Sequence, residues 1–258
     1  MKTNVIEDVW YVNWRELKRF MRQKPRIVMS IVQPIIWLAL MGSMLEKVVK
    51  LPYFGGVGSY LDYMAPGIVV FTTLFGGVFG GLSVVWDRRF GFLNKMLAAP
   101  ISRSAIPIGK MIAATLVSGL QAAIILALAL AMGVNCVTGP LGLAAVIMIA
   151  MLLCLLLSGV SLALGAVIKT HETLMVVMNF LTMPLMFTSS ALFPLEAMPS
   201  WLADIARWNP LTHTIDPIRT IMTKGWELST IIPDIAVVST LTITVALIAT
   251  MLFRRSIS

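Results

Sequence analysis

The sequence has 258 residues, of which 58% are hydrophobic and 12% are charged, about half the charged share that is usual in soluble domains. Together with a mean hydropathy of +0.89, this composition excludes an ordinary soluble globule and a disordered chain. Two cysteines are too few for a disulfide scaffold. A net charge of +8 leaves two explanations, a nucleic-acid binder or a membrane protein whose cations mark its topology.

Six apolar runs are long enough to cross a bilayer, whose hydrocarbon core takes about 20 helical residues. They cover residues 27–45, 65–86, 111–132, 141–168, 174–193 and 231–253. Asp234, near one end of the last run, is the only acidic or basic residue within them. The sequence therefore predicts an all-α polytopic membrane protein with six transmembrane helices in a single transmembrane domain, residues 1–258.

Lysines and arginines lie mostly on one side of these spans. Fifteen of the 20 fall in residues 1–26, 87–110, 169–173 and 254–255. The other five are Lys47, Lys50, Arg207, Arg219 and Lys224. Because cationic loops are retained in the cytoplasm, we expect both termini to be cytoplasmic. This bias accounts for the net charge, so nucleic-acid binding gains little support.

Residues 1–26 contain a pattern typical of an amphipathic helix that lies along the inner membrane surface. At 100° per residue, one face carries Trp10, Trp14, Leu17 and Met21, and another carries Arg15, Lys18, Arg19 and Arg22. Membrane-surface association explains both faces. A docking surface for a partner protein is the alternative.

The loop 87–110 alternates cations with apolar residues that a simple tether would not need. Leu93, Met96 and Leu97 suit a short amphipathic helix that ends near Pro100, because the residue before a proline disfavours helical geometry. Periodicity alone leaves two interpretations open, an elbow on the membrane surface and a docking site for a partner.

Residues 194–227 are too apolar for a solvated loop and too rich in proline for a span. We expect two short helices, separated by Asn209-Pro210, with Ser200 as the N-cap of the first. Three tryptophans suggest that this pair enters the outer leaflet as a re-entrant hairpin. Non-helical backbone at that depth must be buried in protein or line a wet cavity, which indicates a transport pathway.

The residues that catalysis requires are not assembled. His171 and His213 fall on opposite sides of the predicted membrane, and the two cysteines form neither a zinc set nor a disulfide. The chain lacks both GxSxG and a phosphate-binding loop. We therefore expect no enzyme activity, no metal site and no ATP binding in this chain.

Two stretches resemble the type-2 permease subunits of ATP-binding-cassette exporters, in the branch of daunorubicin-resistance and nodulation lipo-oligosaccharide export permeases. The first comprises DRRFG at 87–91, LAAPISR at 97–103 and Gly109-Lys110; the second comprises FPLE at 193–196, MP at 198–199, NPLT at 209–212 and DPIR at 216–219. Both keep the order and spacing of that family. Asp87 stands where the family usually has Glu, and Asn94-Lys95 also departs from its pattern.

The resemblance assigns roles to four groups of residues. The cytoplasmic coupling helix, which would seat in the ATPase subunit, would use Phe90, Leu93, Met96, Leu97, Pro100 and Arg103. The interfacial helix would use Trp10, Trp14, Arg15, Leu17, Lys18 and Met21. The outer gate would comprise Phe193, Pro194, Asn209, Pro210, Asp216 and Arg219. The pathway along the first and fifth spans would be lined by Gln33, Met175, Met178, Asn179, Thr182 and Met186, although the methionines would also suit an ordinary core.

On this resemblance we expect the permease subunit of an exporter in the plasma membrane of a prokaryote. It would form a homodimer with two ATP-binding subunits, which bind ATP and Mg²⁺, and would export an amphipathic drug, lipid or glycolipid. An ion-coupled secondary transporter is one alternative and would need a titratable residue inside the spans. A membrane-embedded lipid-modifying enzyme is another and would need His213, Asp216 and Arg219 to converge.

Overall fold

A computed structural model of the chain describes residues 4–44 and 59–256, and within these ranges the secondary structure is helical, without strands. The helices are α1 (Val5–Arg22), α2 (Lys24–Met44), α3 (Tyr60–Arg89), α4 (Phe92–Ala98), α5 (Ala105–Ala131), α6 (Gly139–Val167), α7 (His171–Phe187), α8 (Ser200–Arg207), α9 (Thr212–Thr223) and α10 (Leu228–Ser256), with a 3-10 turn at Leu195–Ala197. The all-α prediction is confirmed. Lys2, Leu45, Lys47 and Lys50, which entered the topology prediction, lie outside the described residues.

Four helices, α3, α5, α6 and α10, are long and apolar enough to cross a membrane. They correspond to four of the six predicted spans. The first predicted span contains a shorter apolar helix, Ile27–Leu40, within α2. The fifth corresponds to α7, whose 17 residues reach only about 26 Å. These two spans therefore stay predictions.

The fifth predicted span was expected to continue to Phe193, but α7 ends at Phe187. Two carbonyl groups in its last turn, those of Leu185 and Met186, accept hydrogen bonds from side chains. The Asn209 side-chain amide donates to the Leu185 carbonyl at 2.7 Å, and the Ser189 hydroxyl donates to the Met186 carbonyl at 2.7 Å. Side-chain partners thus terminate the helix.

The long helix α3 lies at the centre and packs against α5 and α6, while α10 packs against the other side of α6. Gly77 and Gly81 belong to two overlapping GxxxG patterns, for which the sequence predicts packing within the chain. A Cβ atom at Gly77 would lie 2.8 Å from the Leu157 Cβ, and one at Gly81 would overlap Ser161. The glycines therefore permit the close approach of α3 to α6, as predicted.

The region between α7 and α10 contains the two expected short helices, α8 and α9, on either side of Asn209-Pro210. The N-cap prediction was wrong by one residue. The Pro199 carbonyl accepts the backbone N–H groups of Leu202 and Ala203, so Pro199 is the N-cap and Ser200 is the first helical residue. Helix α9 packs against α3, α6 and α10, near the beginning of α3.

Candidate functional site

Helix α1 has a third, buried face that the sequence analysis did not find. Val12 and Asn13 are buried where α1 packs along the beginning of α5. The Asp8 carboxylate also accepts a hydrogen bond from the Ser102 backbone N–H at 2.9 Å. Trp10 and Trp14 stay exposed, as the amphipathic pattern predicted. The helix is therefore fixed to the bundle along one side and exposes its aromatic face on another.

Five charged side chains meet where α1, α3 and α5 come together. We call this cluster the charged junction, and it consists of Arg15, Glu16, Arg19, Asp87 and Lys110. The Asp87 carboxylate accepts two hydrogen bonds from Arg15, at 2.9 and 3.2 Å, and one from Arg19 at 3.3 Å. The Lys110 Nζ lies 2.5 Å from Asp87 and 2.9 Å from Glu16. Two carboxylates thus serve three cations.

The centre of the charged junction is removed from solvent. The side chains of Lys110 and Asp87 are 1% and 4% exposed, and Lys110 also donates to the Ser83 hydroxyl at 3.0 Å. A buried ammonium group is costly unless its charge is compensated and its protons are bonded, and all three protons of Lys110 have acceptors here. The junction therefore holds α1, α3 and α5 in one arrangement.

The helix α4 is joined to the charged junction through Arg15. The Arg15 guanidinium lies 3.7 Å from the centre of the Phe92 ring, and its Nη1 lies 3.4 Å from the Met96 sulfur. Leu93 and Met96 are 2% and 6% exposed and pack in a cluster with residues of α3, α5, α6 and α10. The short helix predicted in the loop 87–110 is therefore present and tightly anchored.

This burial corrects the expected docking role of Leu93 and Met96. Both side chains face the bundle and cannot touch another subunit without leaving the core. Leu97 is half-buried. The exposed surface that remains available comprises Asn94 and Lys95 on α4 together with Phe90, Pro100 and Arg103 in the segments that flank the helix. We call these five residues the outer face of α4. Phe90 is 69% exposed and stacks on Trp86.

A second polar cluster lies at the other end of α3, about 36 Å from Asp87 along the helix. We call it the tyrosine–arginine cluster, and it consists of Tyr63, Ser190, Asp216 and Arg219. The Arg219 guanidinium lies 3.9 Å from the centre of the Tyr63 ring, 3.2 Å from the Asp216 carboxylate and 2.7 Å from the Ser190 carbonyl. The Tyr63 hydroxyl donates to the same carbonyl at 3.0 Å. These contacts bind α9 to α3 and to the segment after α7.

The pKa of the Asp216 carboxyl group is raised above its ordinary value because burial disfavours the charged form. The positive charge of Arg219 and the hydroxyl of Ser190 act in the opposite direction, since both stabilise the carboxylate. The Ser190 hydroxyl donates to Asp216 at 2.6 Å. Burial outweighs these two contacts, so Asp216 binds its proton more tightly than a solvated aspartate does.

The remaining outer-gate candidates surround the same segment. Asn209 is buried and donates to the Leu185 carbonyl and the Thr188 hydroxyl, while its own carbonyl accepts the Leu211 N–H. Pro194 is buried, Pro210 is half-buried, and Phe193 is 45% exposed. The structure thus brings Asn209, Asp216 and Arg219 together around residues 185–190. It places Phe193 at the surface.

His213, Asp216 and Arg219, the residues that a lipid-modifying enzyme would require, follow one another at intervals of three on α9, and each is held in an ion pair. His213 pairs with Asp234 of α10, with 2.7 Å between Nδ1 and Oδ1, whereas Asp216 pairs with Arg219. In residues 4–44 and 59–256 there is also no group of three or more His, Cys, Asp or Glu side chains that could hold a metal ion. Cys136 and Cys154 are free thiols.

The pathway candidates divide between two environments. Met178 and Thr182 are buried against the bundle, and Met175 and Met186 are half-buried. Gln33 of α2 and Asn179 of α7 are exposed. The pathway candidates on the fifth predicted span are therefore split, with the candidate methionines turned mainly inward and the asparagine outward.

Several apolar helices, together with an anchored short helix that has an exposed face, define a multi-pass membrane protein. Residues 7–223 match the family described as ABC-2 type transporter, and the chain belongs to that family. It is 33% identical to the transport permease ycf38 of Cyanophora paradoxa, over 87% of this chain and 77% of that protein.

Two further relatives come from the branch that the sequence motifs resemble. The daunorubicin resistance ABC transporter permease protein DrrB1 of Streptomyces coeruleorubidus is 24% identical, over 85% of this chain and 77% of its own. Nodulation protein J of Rhizobium leguminosarum bv. trifolii is 26% identical, over 83% of this chain and 80% of its own. The family assignment from sequence is confirmed. The chain is a permease, a transport component without its own catalytic site, of a family that works with an ATP-binding subunit.

Proposed function

We propose that the chain is the membrane subunit of an exporter that moves an amphipathic or hydrophobic substrate outward, driven by ATP hydrolysis in a separate subunit. Two copies of the chain would pair with two ATP-binding subunits, and ATP and Mg²⁺ would bind only to those. Drugs, lipids and glycolipids fit the neutral, apolar character of the predicted pathway. The name of DrrB1, a daunorubicin resistance permease, supports a drug within this range.

The observation that carries this proposal is the anchored helix α4. Its inner side chains, Leu93 and Met96, pack into the bundle, and the Arg15 guanidinium packs on the Phe92 ring in its first turn. Its outer face carries the exposed charge of Lys95, and the exposed ring of Phe90 lies in the segment that leads into the helix. A rigid helix flanked by an exposed aromatic side chain is suited to bind a partner, because aromatic anchors dominate the energy of many interfaces. The ATP-binding subunit would seat on this face.

Movement of α4 would reach the spans through the charged junction. Arg15 contacts both α4 and Asp87, and Asp87 and Lys110 lie at the ends of α3 and α5. A push on α4 would therefore bear on both spans through packed and ion-paired contacts, without any net movement of charge across the membrane. At the far end of α3, the tyrosine–arginine cluster would pass the displacement to α9 and the outer gate.

Exposed amides on α2 and α7 favour a second copy over lipid at these faces. Gln33 lies on a face of α2 with Met29 and Ile36, and Asn179 lies on a face of α7 with Met183. An amide facing hydrocarbon without a partner costs several kcal/mol, so protein or water should cover it. We place the pathway between these two faces in a homodimer.

The orientation follows from the cations. Most described lysines and arginines lie toward the charged-junction end, which we assign to the cytoplasm of a prokaryote. Helices α2 and α7 would complete the six spans. Helices α8 and α9 would form the re-entrant hairpin, with Trp201 and Trp208, 65% and 87% exposed, at the outer interface.

Two substitutions on the outer face of α4 test the docking role. In a co-expressed complex, Phe90→Glu and Lys95→Glu should each weaken retention of the ATP-binding subunit, by about 30-fold for Phe90 if it is an anchor worth about 2 kcal/mol. Arg207→Glu, an exposed charge reversal on α8 at the other end, is the control and should retain the subunit. Full retention by Phe90→Glu and Lys95→Glu would reject the docking assignment.

The same preparation separates the exporter from an ion-coupled transporter. The predicted spans carry no acidic or basic residue at their centres, so transport should depend on ATP and persist when the proton gradient is abolished. Transport by the permease alone, lost on collapse of the gradient, would favour the ion-coupled alternative.

A further inference from the structure

A cavity of about 500 Å³ opens on the side of α1 that faces away from the bundle. It is lined by Tyr11, Trp14, Arg15, Lys18, Arg19, Arg22 and Gln23. The proposed docking of the ATP-binding subunit uses none of these residues, since it takes place on the outer face of α4. The cavity is open to the surface, and none of its residues is committed to that partner.

The lining of the cavity is cationic and contains no carboxylate. Arg15 and Arg19 also pair with Asp87 and with Glu16, which together compensate much of their charge. Lys18 and Arg22 are exposed, and in the described part of the chain neither forms an ion pair. Four cationic side chains surround one space, and among the described residues only Arg15 and Arg19 of these four are paired with carboxylates. The unpaired charge of the other two favours an anionic ligand that accepts several hydrogen bonds, such as a phosphate group.

The cavity adjoins an exposed apolar surface on the same helix. Trp10 and Trp14 stack with 6.4 Å between their ring centres and are 58% and 50% exposed. Met21, 56% exposed, continues this surface. An acidic protein surface would match the cations but not this apolar strip. A lipid matches both, since its phosphate and its acyl chains are joined in one molecule.

We propose that this cavity is a specific site for an anionic phospholipid, with the headgroup phosphate bound by Lys18, Arg22 and Arg15 and the acyl chains lying along Trp10, Trp14 and Met21. The phosphate would share Arg15 with Asp87, so occupancy of the site would alter the charge balance of the charged junction. The inference rests on membrane embedding of the chain and does not require that it exports a substrate.

The test measures lipid binding by the whole purified permease without any ATP-binding subunit. Native mass spectrometry in detergent would titrate phosphatidylglycerol and, separately, phosphatidylcholine. The double variant Lys18→Gln/Arg22→Gln should bind phosphatidylglycerol about 30-fold more weakly, because each cation that faces an anionic lipid contributes about fivefold. Its binding of phosphatidylcholine should not change. Both side chains are exposed, so the fold should be retained.

A matched control removes two cations from another basic cavity, of about 490 Å³, which Lys169 and Arg255 help to line. Lys169→Gln/Arg255→Gln should change binding by less than twofold. An equal loss of phosphatidylglycerol binding in both double variants would show that the lipid is attracted by diffuse charge, and this would overturn the proposal. The proposal would also be overturned if inorganic phosphate stabilised the chain as much as the lipid does. Unchanged phosphatidylglycerol binding in Lys18→Gln/Arg22→Gln would also overturn it. If the same variant, co-expressed with the ATP-binding subunit in a separate preparation, then failed to retain that subunit, the cavity would be a protein-docking surface instead.

Discussion

Replacement of Asp87 by asparagine tests whether compensation of buried charge holds the charged junction together. The substitution keeps the shape of the side chain and removes the negative charge that Lys110, Arg15 and Arg19 share. Lys110 would keep one carboxylate, that of Glu16, at 2.9 Å. An ammonium group that is 1% exposed would then have lost its shorter ion pair.

Removal of one partner from a buried ion pair costs about 3–5 kcal/mol. We expect the lower end, about 3 kcal/mol, because Glu16 stays in place and because Arg15 and Arg19 are 27% and 36% exposed and can be solvated. One kcal/mol corresponds to about 2–4 °C in a domain of this size, so the Tm of Asp87→Asn in detergent should fall by about 6–12 °C.

A double-mutant cycle with Lys110→Met supplies the decisive comparison. The double variant Asp87→Asn/Lys110→Met removes the buried lysine charge together with its partner, so it should be more stable than Asp87→Asn alone. Glu172→Gln, in an exposed pair with Arg89 at 3.9 Å, is the matched control and should shift stability by less than about 0.5 kcal/mol. If the two junction substitutions simply add, the reasoning from buried charge is wrong.

Three further predictions concern single side chains. Leu93→Ala should lower the free energy of unfolding by about 2–5 kcal/mol in thermal melts, since the side chain is 2% exposed, and a change under about 0.5 kcal/mol would contradict its burial. Asn209→Ala leaves the Leu185 carbonyl and the Leu211 N–H without their partner, at a cost of about 1–3 kcal/mol, so hydrogen exchange should accelerate in residues 185–190 but not in α4. Because the pKa of Asp216 is raised in the folded protein, protonation of this side chain stabilises the fold. As the pH falls from neutral towards the ordinary aspartate pKa of about 3.9, the Tm of the wild type should therefore rise relative to that of Asp216→Asn. A relative fall in Tm would mean that the ion pair with Arg219 outweighs burial.

The hydrophobic pattern along the chain was sufficient to predict much of the fold. Local composition and periodicity predict four of the spans, the helices α1 and α4 and the division at Asn209-Pro210. The end of α7 could not be predicted in this way, because it depends on the side chain of Asn209, which is distant in sequence. Hydropathy treats residues 188–193 as part of a span and carries no information on such a partner.

The candidate site was predicted less completely. The loop 87–110 was recognised, but Leu93 and Met96 were assigned to the wrong side of α4, since periodicity shows that a helix has an apolar face without showing what covers it. The charged junction was missed because Asp87 and Lys110 were counted as cytoplasmic loop residues. One signal was available: Lys110 begins an apolar run with no acidic residue nearby in sequence, so its counter-ion had to come from another helix.

The central claim is that an ATP-binding subunit docks on the outer face of α4. Photo-crosslinking tests it most directly, with a benzophenone amino acid placed at Phe90 or at Trp208, which are 69% and 87% exposed at opposite ends of the bundle. In the assembled complex, position 90 should yield an adduct with the ATP-binding subunit and position 208 should yield none. An adduct from position 208, together with none from position 90, would contradict the account.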